Sequence, residues 1–395
     1  MKRLIKKSNF DNVYAIRFIA FLAIFFAHAA ISFDPQIKVA ALFSDVRNLL
    51  DVLNTVAYSL IFVLTGFLNT WSIFEERFIY KKMNVLRFYM RRLIVVVPLF
   101  AIALILGIWL MPSINSPVPR FDGEMLPIWR YFTLTSHFSS FESGNPYYEL
   151  VGNLWSLETY IYFILVWPFL MRTFRRKETT LFALLFAGYI AFQILVPDYP
   201  SKAFFALNYL PEFATGSYLA YISFFKYPNY DKLKEHTRRT IGFTYLGFIL
   251  FILFKNKISA QLNWMPEQIF QIVEKIAIAL TLGYFIFEQN FNSNSVLKAA
   301  KMKFMNFPGK IVLSLYIYMP LGVIISFLAM GFVMDKETEI AALVYRPLIA
   351  LAATIVIASI SYEYLEKKFV RLRKIYNPTR EYNPSGLQDV KAKNP

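Results

Sequence analysis

Arg17 and His28 stand inside residues 14–33, YAIRFIAFLAIFFAHAAISF, a stretch that is otherwise almost wholly apolar. Eleven positions separate them. At 100° per residue both side chains fall on one helix face, roughly 16 Å apart along the axis. An imidazole titrates near neutrality and suits proton transfer. A guanidinium suits bidentate binding of phosphate. Ionisable groups inside lipid are costly, face polar cavities and mark functional sites. Each residue also has a structural reading, Arg17 snorkelling to the headgroups and His28 satisfied between helices.

The other two histidines, His137 and His236, lie in polar segments, so His28 is the one imidazole inside an apolar span. Three histidines so far apart, with no HExxH spacing, argue against a metal site. The chain has no cysteine, which excludes disulfides, thiolate catalysis, cysteine–zinc sites and iron–sulfur clusters.

A second constellation lies in NLWSLETYIYFILVWP, where Trp155 and Glu158 are three apart and share a helix face. A buried carboxylate beside His28 would fix its tautomer and stabilise the imidazolium. Alternatively Glu158 is solvated at the interface and Trp155 is an aromatic-belt anchor. Tyr162 and Tyr316 are read with Trp155 as candidate substrate-binding residues. Arg87, Arg91 and Arg92 precede an apolar run, either as phosphate ligands or as a basic flank. Glu366, beside Lys367 and Lys368, either pairs with an arginine or is solvated.

These residues need membrane helices to position them. The chain is 57% hydrophobic and only 17% charged, against about a quarter charged in soluble domains. With its many apolar runs this predicts an all-α polytopic membrane protein. The formal net charge is +16. Nucleic acid is not implied, because basic cytoplasmic loops already predict such an excess. The basic start and Ala27-His28-Ala29 have the form of a cleavable signal. The apolar stretch nevertheless runs on to Phe33, so it reads as an uncleaved first transmembrane helix.

About ten spans are expected, near 14–33, 46–71, 91–111, 150–171, 180–196, 203–225, 240–254, 269–288, 308–332 and 341–364. Lys and Arg concentrate in alternate connections: Arg77, Lys81, Lys82 and Arg87; Arg172, Arg175, Arg176 and Lys177; Lys232, Lys234, Arg238 and Arg239; then Lys367, Lys368, Arg371, Arg373 and Lys374. The positive-inside rule therefore places both termini in the cytoplasm. It also places Arg17 near the cytoplasmic end of span one and His28 toward the outer half. The long outer loop, about 112–149, carries Asp122, Glu124, Glu142 and Glu149 and either contacts an acceptor or simply connects. One transmembrane domain over 1–376 is expected, followed by a polar, disordered tail over 377–395.

Taken in order, these stretches resemble the acyltransferase-3 family of integral membrane acyltransferases. AIRFIAFLAIFFAH is similar to its first-helix motif, an arginine and a histidine with ten residues between them. SLIFVLTGFL resembles the second-helix phrase, with Thr65, Gly66 and Phe67; FYMRRLIVVVPLF resembles the third, with Arg91, Arg92 and Pro98. NLWSLETYIYFILVWP, LPEFATGSYLA (Glu212, Gly216) and SYEYLEKKF (Glu366) are similar to later phrases. There are departures. The family usually has a glutamate where this chain has Tyr160, and Glu158, two positions earlier, lies about 200° round the helix. Met319 occupies a place where the family often has a histidine, and residues 377–395 are too short for the family's frequent C-terminal hydrolase-like domain, so none is expected.

The resemblance implies transfer of an acetyl or other short acyl group from cytoplasmic acyl-CoA to a hydroxyl of an extracytoplasmic carbohydrate. Lipopolysaccharide O-antigen, exopolysaccharide or a lipid-linked glycan would be the acceptor, and the bacterial inner membrane the location. Acetyl-CoA would be the donor and no metal is needed. Arg17, Arg91 and Arg92 would hold the CoA phosphates. His28 would act as general base or transient acyl carrier, with Glu158 assisting. Intramembrane charges alone fit two other readings, a glycolipid transporter or flippase and a catalytically silent family member.

Overall fold

The structure, a computed structural model, describes residues 10–31, 41–107, 127–136, 154–196, 202, 205–226, 237–262, 264–292, 294–295, 298–333 and 344–376. Every regular element among them is helical. In chain order these are α1 (Asp11–Ile31), α2 (Ala41–Tyr80), α3 (Val85–Ile105), α4 (Ile128–Phe132), α5 (Trp155–Thr173), α6 (Glu178–Leu195), α7 (Leu210–Tyr221), α8 (Arg238–Gln261), α9 (Glu267–Phe291), α10 (Asn306–Lys310), α11 (Val312–Val333), α12 (Arg346–Ser361) and α13 (Lys367–Ile375). The expected outer loop, apart from residues 127–136, lies outside the described residues, as do His137, His236 and the 377–395 tail.

The described residues of each expected span fall mainly on helices. Among the described residues, seven stretches are long and apolar enough to cross a membrane, on α1, α2, α3, α6, α9, α11 and the continuous run α12–α13. The multi-pass, all-helical class expected from composition is therefore observed. Of the other three, α7 has only 12 residues, while α5 and α8 carry more polar side chains. The last helix also runs further than the apolar pattern suggests. A π-helical turn, Tyr362–Glu366, joins α12 to α13, and the basic segment stays helical to Ile375.

Helix α1 is apolar nearly all round, as suits a helix surrounded by others. Ala15, Ile16, Ala20, Phe21, Ile24, Phe25 and Ala27 are buried. It packs against α2, α10, α11 and α12. This central place explains how a helix with two ionisable residues is held at a fixed rotation.

The most extensive packing is α2 on α7 and α11 on α12. In the first crossing two glycines let the backbones meet. A Cβ on Gly66 would stand 2.2 Å from Phe213 O, and one on Gly216 would stand 1.9 Å from Val63 O. Small residues at such crossings are the usual route to close packing in membranes. Hydroxyls then add specificity: Thr70 Oγ1 donates to Ser217 Oγ at 2.9 Å, and Trp167 Nε1 of α5 donates to Thr70 Oγ1 at 3.0 Å.

Helices α2 and α3 form a tight hairpin. Lys81 takes a left-handed φ of 59° just after α2, and the Asn84 side chain caps α3 by accepting from Arg87 N at 3.1 Å. Glu76 of α2 accepts from Asn84 N at 3.0 Å and from Arg91 Nη2 at 2.6 Å. The hairpin thereby sets Arg91 and Arg92 beside the lower half of α2.

Candidate active site

Arg17 and His28 both lie on the single unbroken helix α1, so the one-face geometry read from their spacing applies.

At the His28 end the imidazole Nδ1 is 2.7 Å from Ile24 O, one turn back. A carbonyl only accepts, so Nδ1 carries the hydrogen, and in the neutral ring Nε2 is the basic nitrogen. The ring meets Tyr58 of α2 edge-on, at 6.5 Å between centroids. Tyr58 Oη lies 3.0 Å from Tyr316 Oη of α11, and Ser156 Oγ of α5 donates to Tyr316 Oη at 2.9 Å. Four helices thus supply one imidazole and three linked hydroxyls. Trp155 packs on Tyr58 at 4.8 Å and stacks on Tyr209 at 5.5 Å.

Behind Tyr209 lies a buried ion pair. Lys275 Nζ of α9 sits 4.2 Å above the Tyr209 ring and 2.8 Å from Glu212 Oε1 of α7. Ser59 Oγ donates to the same oxygen at 2.8 Å. Glu212 is fully buried.

Glu158 is also fully buried, and Ser136 Oγ donates to its Oε1 at 2.6 Å. Tyr162, one turn further along α5, donates to Leu134 O at 2.7 Å. Both side chains therefore fasten the 127–136 segment to α5. Of the residues singled out in the sequence, His28, Trp155 and Tyr316 are brought together around Tyr58, whereas Glu158 and Tyr162 are engaged on this neighbouring segment.

At the Arg17 end the charges are mostly positive. No hydrogen bond or ion pair reaches the Arg17 guanidinium from the described residues; its electrostatic neighbours are Tyr160, Tyr14 and Arg373. Arg92 donates through Nη2 to Leu68 O at 2.9 Å, while its buried Nε has no hydrogen-bond partner among the described residues. The charges of Arg17, Arg91 and Arg373 all act on Arg92, as does Tyr160. Arg91 differs. It is buried, paired with Glu76 at 2.6 Å, and donates through Nη1 to Tyr376 O at 3.3 Å. Glu75 lies within electrostatic reach of Arg91 and Arg92.

The two-position offset read in α5 now has a structural meaning. Tyr160 interacts with Arg17 and Arg92, and Glu158 turns to Ser136. The chain thus presents a tyrosine rather than a carboxylate to its arginines at that register position.

A model of the acyltransferase-3 family, described as an acyltransferase domain, matches residues 10–362 of this chain. The chain belongs to that family. No curated protein and no solved structure matches it. The membrane acyltransferase therefore carries the family domain over α1 to α12, and α13 lies beyond the match.

Several residues of the candidate site carried no individual signal in the sequence. Tyr58 and Ser156 are an ordinary tyrosine and serine in apolar helices, and only interhelical contact shows what they touch. Lys275 and Glu212 were accessible to the rule that charges inside apolar spans mark sites. That rule does not say they pair. Arg373 lay among flanking basic residues, with nothing to set it apart.

Proposed function

We infer that this membrane acyltransferase moves an acetyl or other short acyl group from cytoplasmic acyl-CoA to a hydroxyl of a carbohydrate on the other side of the membrane. The observation that carries the reading is α1 itself, with an arginine that has no hydrogen-bond or ion-pair partner among the described residues at one end and an oriented imidazole at the other. With the N-terminus in the cytoplasm, as the basic loops predict, Arg17 and Arg92 face the side where CoA is found. Their guanidiniums suit its phosphates. An extended pantetheine arm covers the roughly 16 Å to His28.

His28 Nε2 takes the proton of the acceptor hydroxyl as its oxygen attacks the thioester carbonyl. The tetrahedral intermediate collapses, the C–S bond breaks, and the thiolate leaves and is protonated to free CoA. The ester product forms from acyl-CoA and alcohol with no further reactant. Ile24 O holds the ring in the required tautomer. The Tyr58–Tyr316–Ser156 hydroxyls and the Trp155 face provide polar and stacking contacts for a polyol. An O-antigen, exopolysaccharide or lipid-linked glycan fits this class of acceptor.

The test is acyl transfer by purified protein from labelled acetyl-CoA, with mass spectrometry of the surface glycan. A gain of one acetyl group per modified sugar is expected. Replacing His28 with alanine should reduce transfer by about 10² to 10⁴-fold, the usual worth of a general base. Full activity in both His28→Ala and Arg17→Ala would overturn the reading.

A further inference from the structure

The face of α1 turned away from Arg17 and His28 borders an apolar groove. Ile16 and Ile19 sit about 100° and 160° round the helix from Arg17. With Phe248 and Ile249 of α8 and Leu282 and Phe285 of α9 they line a volume of about 270 Å³. Two hydroxyls also reach it, and both are already engaged. Thr281 Oγ1 donates to Ala277 O at 2.9 Å, and Tyr245 Oη donates to Glu288 Oε2 at 2.5 Å. The groove therefore suits hydrocarbon. A dry apolar cavity of about 150 Å³ holds a benzene, so this one has room for a length of lipid chain. Ile19 and Ile249 are exposed, which marks the side open to the membrane.

The groove ends on an acid. Thr281, Leu282 and Phe285 follow one face of α9, and Glu288 continues the same three- and four-residue spacing. Glu288 is buried. Besides Tyr245, Gln289 Nε2 donates to its Oε2, at 2.8 Å. Its Oε1 is buried with no hydrogen-bond partner among the described residues, and no cation among them pairs with the carboxyl group. Glu212, equally buried, has Lys275 at 2.8 Å. A buried acid needs a counter-charge or a proton. Gln289 fixes where this acid stands: its carbonyl accepts from Asn12 Nδ2 at 2.6 Å, and its Oε1 accepts from Ala299 N at 3.1 Å. Glu288 thus lies by the first turn of α1, on the side where the basic loops predict the cytoplasm.

We propose that the groove and Glu288 together bind an inner-leaflet lipid with a primary-ammonium headgroup, its chain along α1, α8 and α9 and its ammonium on Glu288. Tyr245 joins the two halves. Its ring lines the groove, its hydroxyl holds the carboxylate, and it is only half-buried. Rotation of that one side chain opens Oε1 to the groove. An ammonium supplies both things that Oε1 lacks, a donor and a positive charge. A phosphatidylcholine headgroup has the charge but no N–H, and phosphatidylglycerol has neither.

The full-length chain is purified in detergent, stripped of lipid and titrated with phosphatidylethanolamine, phosphatidylcholine or phosphatidylglycerol of identical chains, and bound lipid is counted by native mass spectrometry. Phosphatidylethanolamine should bind about tenfold more tightly than the other two, as expected for one charge-assisted hydrogen bond. Glu288→Gln keeps the shape of a protonated acid and should abolish that preference. Ile249→Trp, on the exposed side, fills the groove without disturbing the core and should weaken phosphatidylethanolamine about tenfold. Equal affinity of the parent for the three lipids would overturn the proposal, and so would a preference for phosphatidylglycerol. A preference that survives Glu288→Gln would show that the carboxyl group is neutral and holds no ammonium. Unchanged binding in Ile249→Trp would seat the lipid elsewhere and overturn the groove's role.

Discussion

Glu212–Lys275 and Arg17–Arg92 are both pairs of ionisable residues inside apolar helices, and the fold surrounds them in opposite ways. Lys275 meets a carboxylate at 2.8 Å, a serine hydroxyl shares the same oxygen, and an aromatic face covers the ammonium. Arg17 has only Tyr160, Tyr14 and other arginines as electrostatic neighbours among the described residues. In the first region the charges cancel within the protein and link α2, α7 and α9. In the second the cancellation is left incomplete beside the helix that carries His28. A charge compensated by the fold is there to hold helices together; a charge that is not compensated, in an interior where that is costly, is what the proposed donor site would use.

The strongest way to break this comparison is to remove one partner of the compensated pair. Lys275→Met leaves Glu212 buried without its counter-charge, which typically costs about 3–5 kcal/mol. Thermal unfolding in detergent should show a large fall in midpoint, and the double variant Glu212→Gln, Lys275→Met should regain most of it. Arg17→Ala should behave in the opposite sense, losing transfer activity while its unfolding midpoint holds or rises. If Arg17→Ala melts early as Lys275→Met does, the distinction between the two regions is wrong.

How far this distinction could be read from the sequence depends on what each contact requires. The rotation of Arg17 against His28 follows from helix periodicity within one segment, so it was legible. So was the offset of Glu158, because 200° round a helix is a local fact, and the structure turns Glu158 to Ser136. The multi-pass helical class followed from composition and apolar runs. Contacts between helices are another matter. Tyr58 with Tyr316 spans 258 positions, and no periodicity in either helix selects the other. Arg91 illustrates the limit. Its position beside Arg92 suggested a phosphate ligand, yet its guanidinium is engaged by Glu76 and the carbonyl of Tyr376.

A smaller effect sharpens the same comparison by moving the helices without touching a charge. Gly216→Ala places a methyl group where Val63 O stands 1.9 Å away. Backbone cannot yield as a side chain can, so α2 and α7 must separate. Overpacking of this kind costs about 1–3 kcal/mol. The shift should also stretch the Ser59–Glu212 bond, since those residues sit on the same two helices. A lowered unfolding midpoint is expected. In the Glu212→Gln, Lys275→Met background the loss should be smaller, because one of the contacts disturbed is already gone. A fully additive result would mean the glycine crossing and the ion pair are independent.

The smallest expected effect concerns the hydroxyl chain at the His28 end. Tyr316→Phe deletes the oxygen shared by Tyr58 and Ser156 and keeps the ring in place. A neutral hydrogen bond of this kind contributes about 1 kcal/mol, so the unfolding midpoint should fall only slightly. If these hydroxyls contact the acceptor, KM for the acceptor should rise about fivefold, equivalent to about 1 kcal/mol, while KM for the donor stays put. Arg17→Ala should show the reverse pattern. A Tyr316→Phe variant whose donor KM rises and whose acceptor KM does not would place the two substrates differently along α1, with the donor's phosphates no longer assigned to the arginine end.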